Sequence, residues 1–303
     1  CRAVLLLLLL LCWINMLSSF QPRNAKGTLG ERMIYKVFWP PFEHPLARRV
    51  AQLFYFLAAA PWFIGWWGLA RYLRMLYFFA FRGETFELDY RSILSSVGAV
   101  KGVLHVGAST GQEAATYEEL AVPRVLWIEA QEECRAELEE ALKQHKRGHD
   151  KIAITAVSCE EGEATLYRTD NSISSSLKPL GRGHHEYFPF IRLAEAQQVR
   201  TETLDGLLRR LDMDFGLFDF LYLDVQGAEL DVLKGSTAVL PHIRHIMTEI
   251  SSEEHYQGGV LEAELHAFLE SAGFTRIHRQ MPPIGHGNAF YARRGNGGRP
   301  GGA

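Results

Sequence analysis

Downstream of about Leu88, short apolar runs alternate with amphipathic stretches, the pattern of a sheet whose strands are joined by helices. Strands are predicted at Gly102–Val106, Arg124–Glu129, Ile152–Val157, Phe220–Asp224 and His245–Ile250, and helices at Gln112–Leu120, Glu132–His145, Glu229–Lys234 and Leu261–Ala272. After the last helix, Phe274–His278 and Ala289–Ala292 flank the turn-rich segment Pro282–Asn288, which predicts a terminal antiparallel hairpin. The expected fold class is α/β, a mostly parallel seven-stranded sheet wound on both faces and ending in that hairpin.

Two apolar blocks precede this region. The run Ala3–Trp13, a leucine block behind Arg2, has the length of a signal-peptide core and reads as a signal peptide or signal anchor. Leu53–Ala70 carries no charge over about eighteen residues and is flanked by Arg48, Arg49, Arg71 and Arg74, which just reaches the length of a membrane helix. Pro61, Gly65 and Gly68 interrupt it, whereas Trp62, Trp66 and Trp67 suit a membrane interface. The expected organisation is an apolar helical extension over residues 1–85, a catalytic domain over 86–293 and a disordered Gly-rich tail over 294–303. The expected location is at a membrane, with a cytoplasmic protein whose extension packs on the domain as the alternative.

Composition narrows the chemistry. The 303 residues are 47% hydrophobic and 22% charged, enough apolar material for a sizeable core. A net charge of -3 gives no electrostatic reason to expect a nucleic-acid partner. Cys1, Cys12, Cys134 and Cys159 form no CxxC pair, and the acids and histidines lack ligand spacing, so neither a disulfide framework nor a metal is indicated.

The candidate site lies where predicted strands end, because open α/β sheets bind ligands beyond the carboxyl ends of their strands. The first strand runs into His105-Val-Gly-Ala-Ser-Thr-Gly-Gln112, where Gly107 and Gly111 permit a tight turn and close approach of a ligand. A G-x-G-x-x-G fingerprint would need glycines where Ser109 and Gln112 stand, which disfavours a nicotinamide cofactor. The second strand ends in Trp127-Ile-Glu-Ala130, and Glu129, twenty-two residues after Gly107, is placed to accept both hydroxyls of a ribose. The third closes in Ala156-Val-Ser-Cys-Glu-Glu-Gly162, whose small side chains suit either an adenine edge or a plain turn, and the polar loop Asp170–Ser176 lies over the same edge.

Phe220-Leu-Tyr-Leu-Asp-Val-Gln-Gly-Ala-Glu229 delivers Asp224 to this edge, where it can meet a cationic ligand group or an acceptor hydroxyl. Glu229 either joins it or complements the N-terminus of the following helix. Glu249, in Thr248-Glu-Ile250, closes the fifth strand beside Asp224.

The ordered set HVGASTG, WIEA, AVSCEEG, TLDGLL, YLDVQGAELDVLKG and TEI, over residues 102 to 278, resembles the FkbM-type methyltransferases. The resemblance implies a Rossmann-like class I methyltransferase fold and transfer of a methyl group from S-adenosylmethionine to a hydroxyl of a glycan, glycolipid, lipid-linked or other small molecule. It implies cofactor contacts at Gly107, Ser109, Gly111 and Glu129. The cofactor-facing segments also take in His105, Ala108, Ala130, Val157, Ser158 and Asp224. His105 stands where the family usually has Asp, and Tyr222 where it often has Lys.

Methyl transfer needs an acceptor oxygen held in line and relieved of its proton. Asp224 and Glu249 are the candidate bases, with His255, His184 and His185 as alternates. A Rossmann oxidoreductase and a catalytically silent, membrane-attached module, for which His105 is the hint, are the rival readings.

Overall fold

Strands covered on both faces need apolar residues at consecutive positions, and the central strands of this chain meet that demand. In the computed structural model, which describes residues 53, 56–57, 59–77 and 90–295, β1 (Val103–Val106) and β2 (Val125–Glu129) are buried at every position. The other strands are β3 (Lys151–Ile154), β4 (Ala156–Val157), β5 (Gly162–Thr169), β6 (Leu193–Glu202), β7 (Phe220–Leu223), β8 (His245–Ser251), β9 (Phe274–Gln280) and β10 (His286–Arg293). The helices are α1 (Ala60–Tyr77), α2 (Tyr90–Ser96), α3 (Ala114–Glu119), α4 (Arg135–Gln144), α5 (Arg182–Tyr187), α6 (Leu204–Arg210), α7 (Glu229–Lys234) and α8 (Glu262–Ser271).

Seven strands form one sheet in the order β3-β2-β1-β7-β8-β10-β9. Neighbours from β3 to β8 are parallel, and β10 runs antiparallel to both β8 and β9. One face packs Val103, Val125, Trp127 and Phe220 against α2, α3 and α4 through Ile93, Tyr117 and Leu138. The other packs Leu104, Leu126, Leu221 and Ile246 against α6, α7 and α8 through Leu207, Leu233 and Leu265. The chain therefore reverses its winding between β1 and β7, and this switch point opens the crevice in which doubly wound sheets bind ligands.

The predicted third strand divides. Thr155 donates its N–H to the Glu129 carbonyl at 2.8 Å, and the chain then leaves the main sheet. Ala156–Val157 pairs instead with β6 in a second sheet of order β4-β6-β5. Residues between β4 and α6 thus form an insertion, whose return is fixed by the Thr203-Leu-Asp-Gly206 stretch. Thr203 Oγ1 caps α6 by accepting from Gly206 N at 2.9 Å. Asp205, 5% exposed, accepts from Ala238 N (2.7 Å), Val239 N (3.0 Å) and Thr237 Oγ1 (3.1 Å).

The chain separates into two compact units, Cys1–Phe86 with Pro282–Ile284 and Glu87–Met281 with Gly285–Ala303. In the first, Phe56 stacks on Phe63 (5.0 Å) and Tyr72 (4.8 Å), while Leu57, Ile64, Leu69, Leu73 and Tyr77 are exposed. The uncharged run Leu53–Ala70 does not become one helix. Gly68 takes non-helical angles inside α1, which begins at Ala60 and continues through Arg71 and Arg74, and no described helix is long and apolar enough to cross a membrane. The leucine block Ala3–Trp13, Arg48, Arg49 and residues 296–303 of the tail lie outside the described residues.

Because Asp205 satisfies two backbone N–H groups that its removal would leave unmet, Asp205→Ala should lower the unfolding free energy by about 2–4 kcal/mol. Asp205→Asn, which keeps one acceptor oxygen, should fall between Ala and the parent in urea denaturation. Equal midpoints for all three proteins would refute the clamp.

Candidate active site

The site begins at the contact between β1 and β7. Asp224 N donates to the Val106 carbonyl at 3.0 Å, which brings the chain after β7 directly under the turn after β1. Gly107 lies there with φ +89°, and a Cβ at this position would stand 1.8 Å from the Asp224 carbonyl oxygen. Only glycine fits. Gly107 N and Ala108 N both donate to the Ile128 carbonyl, at 2.9 and 3.0 Å, tying the turn to β2 as well. Gly111 (φ +78°) closes the turn against Leu138, whose Cδ1 would lie 2.8 Å from an added Cβ.

Ser109 adopts a left-handed φ of 44°, which costs a non-glycine residue about 1 kcal/mol or more. Its N–H donates to Glu129 Oε2 at 2.7 Å, and its buried hydroxyl has no hydrogen-bond partner among the described residues. Glu129 Oε1 accepts from Gln131 N at 2.9 Å. Burial pushes the Glu129 carboxyl above its usual range, opposed by these N–H donors. Gly107, Ala108, Ser109, Gly111, Glu129 and Ala130 therefore meet at one corner of the sheet edge.

Three sequence candidates have other surroundings. His105 is 1% exposed, with Nδ1 2.8 Å from the Tyr117 hydroxyl and its ring stacked between Trp127 (5.0 Å) and Tyr222 (4.3 Å). Burial lowers its pKa to about 3, so it is a neutral core residue beneath the turn. Its expected contact with the cofactor is corrected accordingly. Tyr222 and Trp127 are its register partners on either side, so His105 and Tyr222, the two departures from the family pattern, form one cross-strand stack. Val157 points into the core of the second face, and Ser158 turns its carbonyl to within 2.2 Å of where a Gly235 side chain would begin. Both left the main sheet at Thr155. The loop that reaches this corner is 171–176, where Gln131 Nε2 donates to the Ser172 carbonyl at 2.9 Å.

On the other side of the switch point, a carboxamide joins the two predicted acids. Gln226 Nε2 donates to Asp224 Oδ1 at 2.6 Å and to Glu249 Oε2 at 2.9 Å. Its Oε1 accepts from the Tyr256 hydroxyl at 2.6 Å, and the same hydroxyl lies 3.2 Å from the Ser174 carbonyl. Gln226 is itself left-handed (φ 56°), and its carbonyl accepts from Ser176 Oγ at 2.7 Å. Burial, then the Glu249 charge, raises the Asp224 pKa well above the usual carboxylate range. Glu249 Oε1 lies 2.5 Å from His286 Nε2. Glu229 acts on Asp224 through its charge. Its Oε1 accepts from Val225 N (3.2 Å) and Gly227 N (3.1 Å), bracing the turn from the first residue of α7.

Of the alternate bases, His184 is 2% exposed, and burial, with smaller contributions from His286 and His185, lowers its pKa to about 3. His255 is buried among Tyr187, Phe188 and His286, and His185 is exposed. Sequence reasoning missed Gln226, Tyr256 and His286. Gln226 could have been found, since it lies inside the Asp224–Glu229 motif, whereas Tyr256 and His286 come from segments that look like ordinary turns.

Comparison with known proteins bears on this geometry. A curated relative, the 2-O-methyltransferase NoeI of Sinorhizobium fredii (strain NBRC 101917 / NGR234), is 30% identical over 101 residues, 33% of this chain and 40% of the relative. The match thus spans well under two thirds of that relative. Among solved structures, an O-methyltransferase from Bacillus cereus in complex with SAH is 11% identical over 67% of this chain and 78% of the other, with a TM-score of 0.40. The O-methyltransferase TomG from Streptomyces achromogenes, in complex with SAM, is 12% identical over 67% and 77%, with a TM-score of 0.41. The methyltransferase FkbM domain matches residues 105–276, more than half of the chain, from within β1 to the start of β9. On that match, and with the sheet order, glycine turn and acidic edge already described, the chain belongs to the FkbM methyltransferase family, whose methyl donor is S-adenosylmethionine.

Proposed function

We propose that this methyltransferase acts on a hydroxyl of a glycan, glycolipid, lipid-linked or related small molecule. The observation that supports the reading is the back-to-back packing of the Gly107 turn on Asp224, with Glu249 joined to Asp224 through Gln226. An alcohol is a poor nucleophile until its proton is taken, so a hydroxyl acceptor calls for such a pair. The name of the NoeI relative supports the same class of acceptor.

The donor corner suits the cofactor. Glu129 offers a desolvated carboxylate to a ribose diol, Gly107 and Gly111 keep the turn bare, and the buried Ser109 hydroxyl has a bond still to make. When bound, S-adenosylmethionine supplies an electrophilic methyl on a sulfonium. The protein's share of the work is to hold the acceptor oxygen in line and accept its proton. Asp224 and Glu249 stand at that edge, and Gln226 fixes their separation by donating to both. The Glu249 charge, after burial, raises the proton affinity of Asp224.

Calorimetry of the full chain with S-adenosylhomocysteine tests the donor corner. Glu129→Gln should weaken binding about 10–100-fold, as for the loss of bonds to a charged acceptor, and Ser109→Ala about 2–10-fold. Ser109→Ala should not lower the unfolding free energy, because the hydroxyl it removes is unsatisfied in the protein alone. Parental affinity in both variants would move the cofactor elsewhere.

The acceptor class is tested by a panel of methyl glycosides, matched amines and matched thiols with labelled S-adenosylmethionine. Label should enter an ether of a sugar hydroxyl, and transfer confined to nitrogen or sulfur would reject the reading.

We also propose membrane contact by the first unit, supported by the exposed Leu57, Ile64, Leu69, Leu73 and Tyr77 and the adjoining Arg74. The full chain should float with vesicles containing anionic phospholipid, and a chain beginning at Phe86 should not. Equal distribution of the two would discard the proposal.

A further inference from the structure

The strand that runs against the others brings a base to the site. Parallel strands deliver their last residues to the carboxyl edge, but β10 is antiparallel and delivers its first, His286. It pairs with Ser251 in the register that sets Asn288 opposite Glu249. Its imidazole reaches back to Glu249, with Nε2 2.5 Å from Oε1, and its Nδ1 lies 3.4 Å from Ser251 Oγ.

Glu249 is held at both oxygens, by His286 at Oε1 and by Gln226 Nε2 at Oε2. The amide cannot flip without penalty, because its N–H groups serve two carboxylates and its oxygen serves Tyr256. A carboxylate fixed in this way, bonded to one nitrogen of an imidazole, sets the tautomer of the ring and leaves the other nitrogen basic. The His286 side chain is 21% exposed against 11% for Glu249, so of the two the ring is the more accessible to an incoming hydroxyl.

We infer that His286 accepts the proton of the acceptor hydroxyl at Nδ1, and that Glu249 is the carboxylate that orients the ring and balances its charge. This rests on the hydroxyl acceptor proposed above. The acceptor O–H bond breaks as its oxygen bonds to the methyl carbon, the electron pair of the methyl–sulfur bond stays on sulfur, and the proton passes to His286. The resulting imidazolium is paired with Glu249 until it releases the proton to solvent.

The charged and titratable groups around His286 fit this part. Glu249 comes from β8, and Asp224 and Glu229 act on it from either side of the turn after β7. His184 faces it from α5, and the His255 ring lies 5.2 Å away. His184 stays neutral in its buried place, so it adds no competing cation, whereas Glu249, 2.5 Å away, offers the ring an opposite charge. Asp224 shares Gln226 with Glu249 and acts as a positioning residue.

The test uses the full chain with ring nitrogen-15 histidine, saturated with S-adenosylhomocysteine. Two-bond proton–nitrogen correlation reads the ring, and His286→Gln assigns its signals. Neutral His286 should carry its proton on Nε2, and its titration midpoint should move to lower pH in Glu249→Gln, because removing an opposite charge favours the neutral ring. Glu249→Asp should give a smaller shift in the same direction, and serves if the glutamine variant does not fold. With the sugar hydroxyl found in the glycoside panel, His286→Gln should lower kcat about 10²–10⁴-fold and abolish the loss of rate at low pH, with affinity for S-adenosylhomocysteine kept.

A proton on Nδ1 of the neutral ring, a midpoint unmoved by both Glu249 variants, or kcat within twofold of the parent would overturn the assignment. The nuclear magnetic resonance arm needs no acceptor. A panel without a methylated hydroxyl therefore defeats the proposed function, while the ring's tautomer and titration judge His286 by themselves.

Discussion

Everything at the ligand edge follows from the absence of a side chain at Gly107. Because β1 and β7 are neighbours at the switch point, the turn after one must cross the backbone after the other, and the Asp224 carbonyl fills the space a Cβ would take. This single close approach fixes how far the Gly107 turn stands from the Asp224–Glu249 group. The left-handed Ser109 and Gln226 carry the remaining strain, one on each side of the contact. Each is held there by bonds that also define the site, Ser109 N to Glu129 and Gln226 to its two carboxylates.

The insertion between β4 and α6 binds these halves together. Its 171–176 loop meets the Glu129 corner through Ser172 and Gln131, and the acidic cluster through Ser174 with Tyr256 and Ser176 with Gln226. A loop fastened at three points over the edge behaves as part of the sheet's framework. Further along, Gly181 and Gly183 donate to the His255 and Glu254 carbonyls, so α5 is set against the same 254–257 segment that supplies Tyr256.

The parallel half of the fold was legible because its strands are buried on both faces and so read as plain apolar runs; Glu229–Lys234 even has the helix bounds that the sequence suggested. Gly107, Glu129, Asp224 and Glu249 were legible for a related reason, since each ends or follows a recognisable strand. The second sheet was not. Much of β6 is exposed on both faces, and an exposed strand shows no alternation that could mark it. The break at Thr155 depends on a backbone bond to Glu129, which no local pattern announces. His286 was hidden for a topological reason, because its partner on β8 is known only once the sense of β10 is known. In the uncharged Leu53–Ala70 run the interruption at Gly68 was legible, whereas its composition says nothing of a helix continuing past Arg71.

The aromatic stack beneath the donor turn makes two positions into one mutational unit. His105 is clasped between Trp127 and Tyr222 across three adjacent strands and is almost wholly buried. An aspartate placed there alone would bury a charge against two rings, and a lysine at 222 alone would lose the ring that covers the imidazole. Either replacement is harmful by itself, whereas an aspartate and a lysine introduced together could neutralise each other on the neighbouring strands. Exchange between the two arrangements is therefore epistatic, and a route through single substitutions crosses a destabilised intermediate.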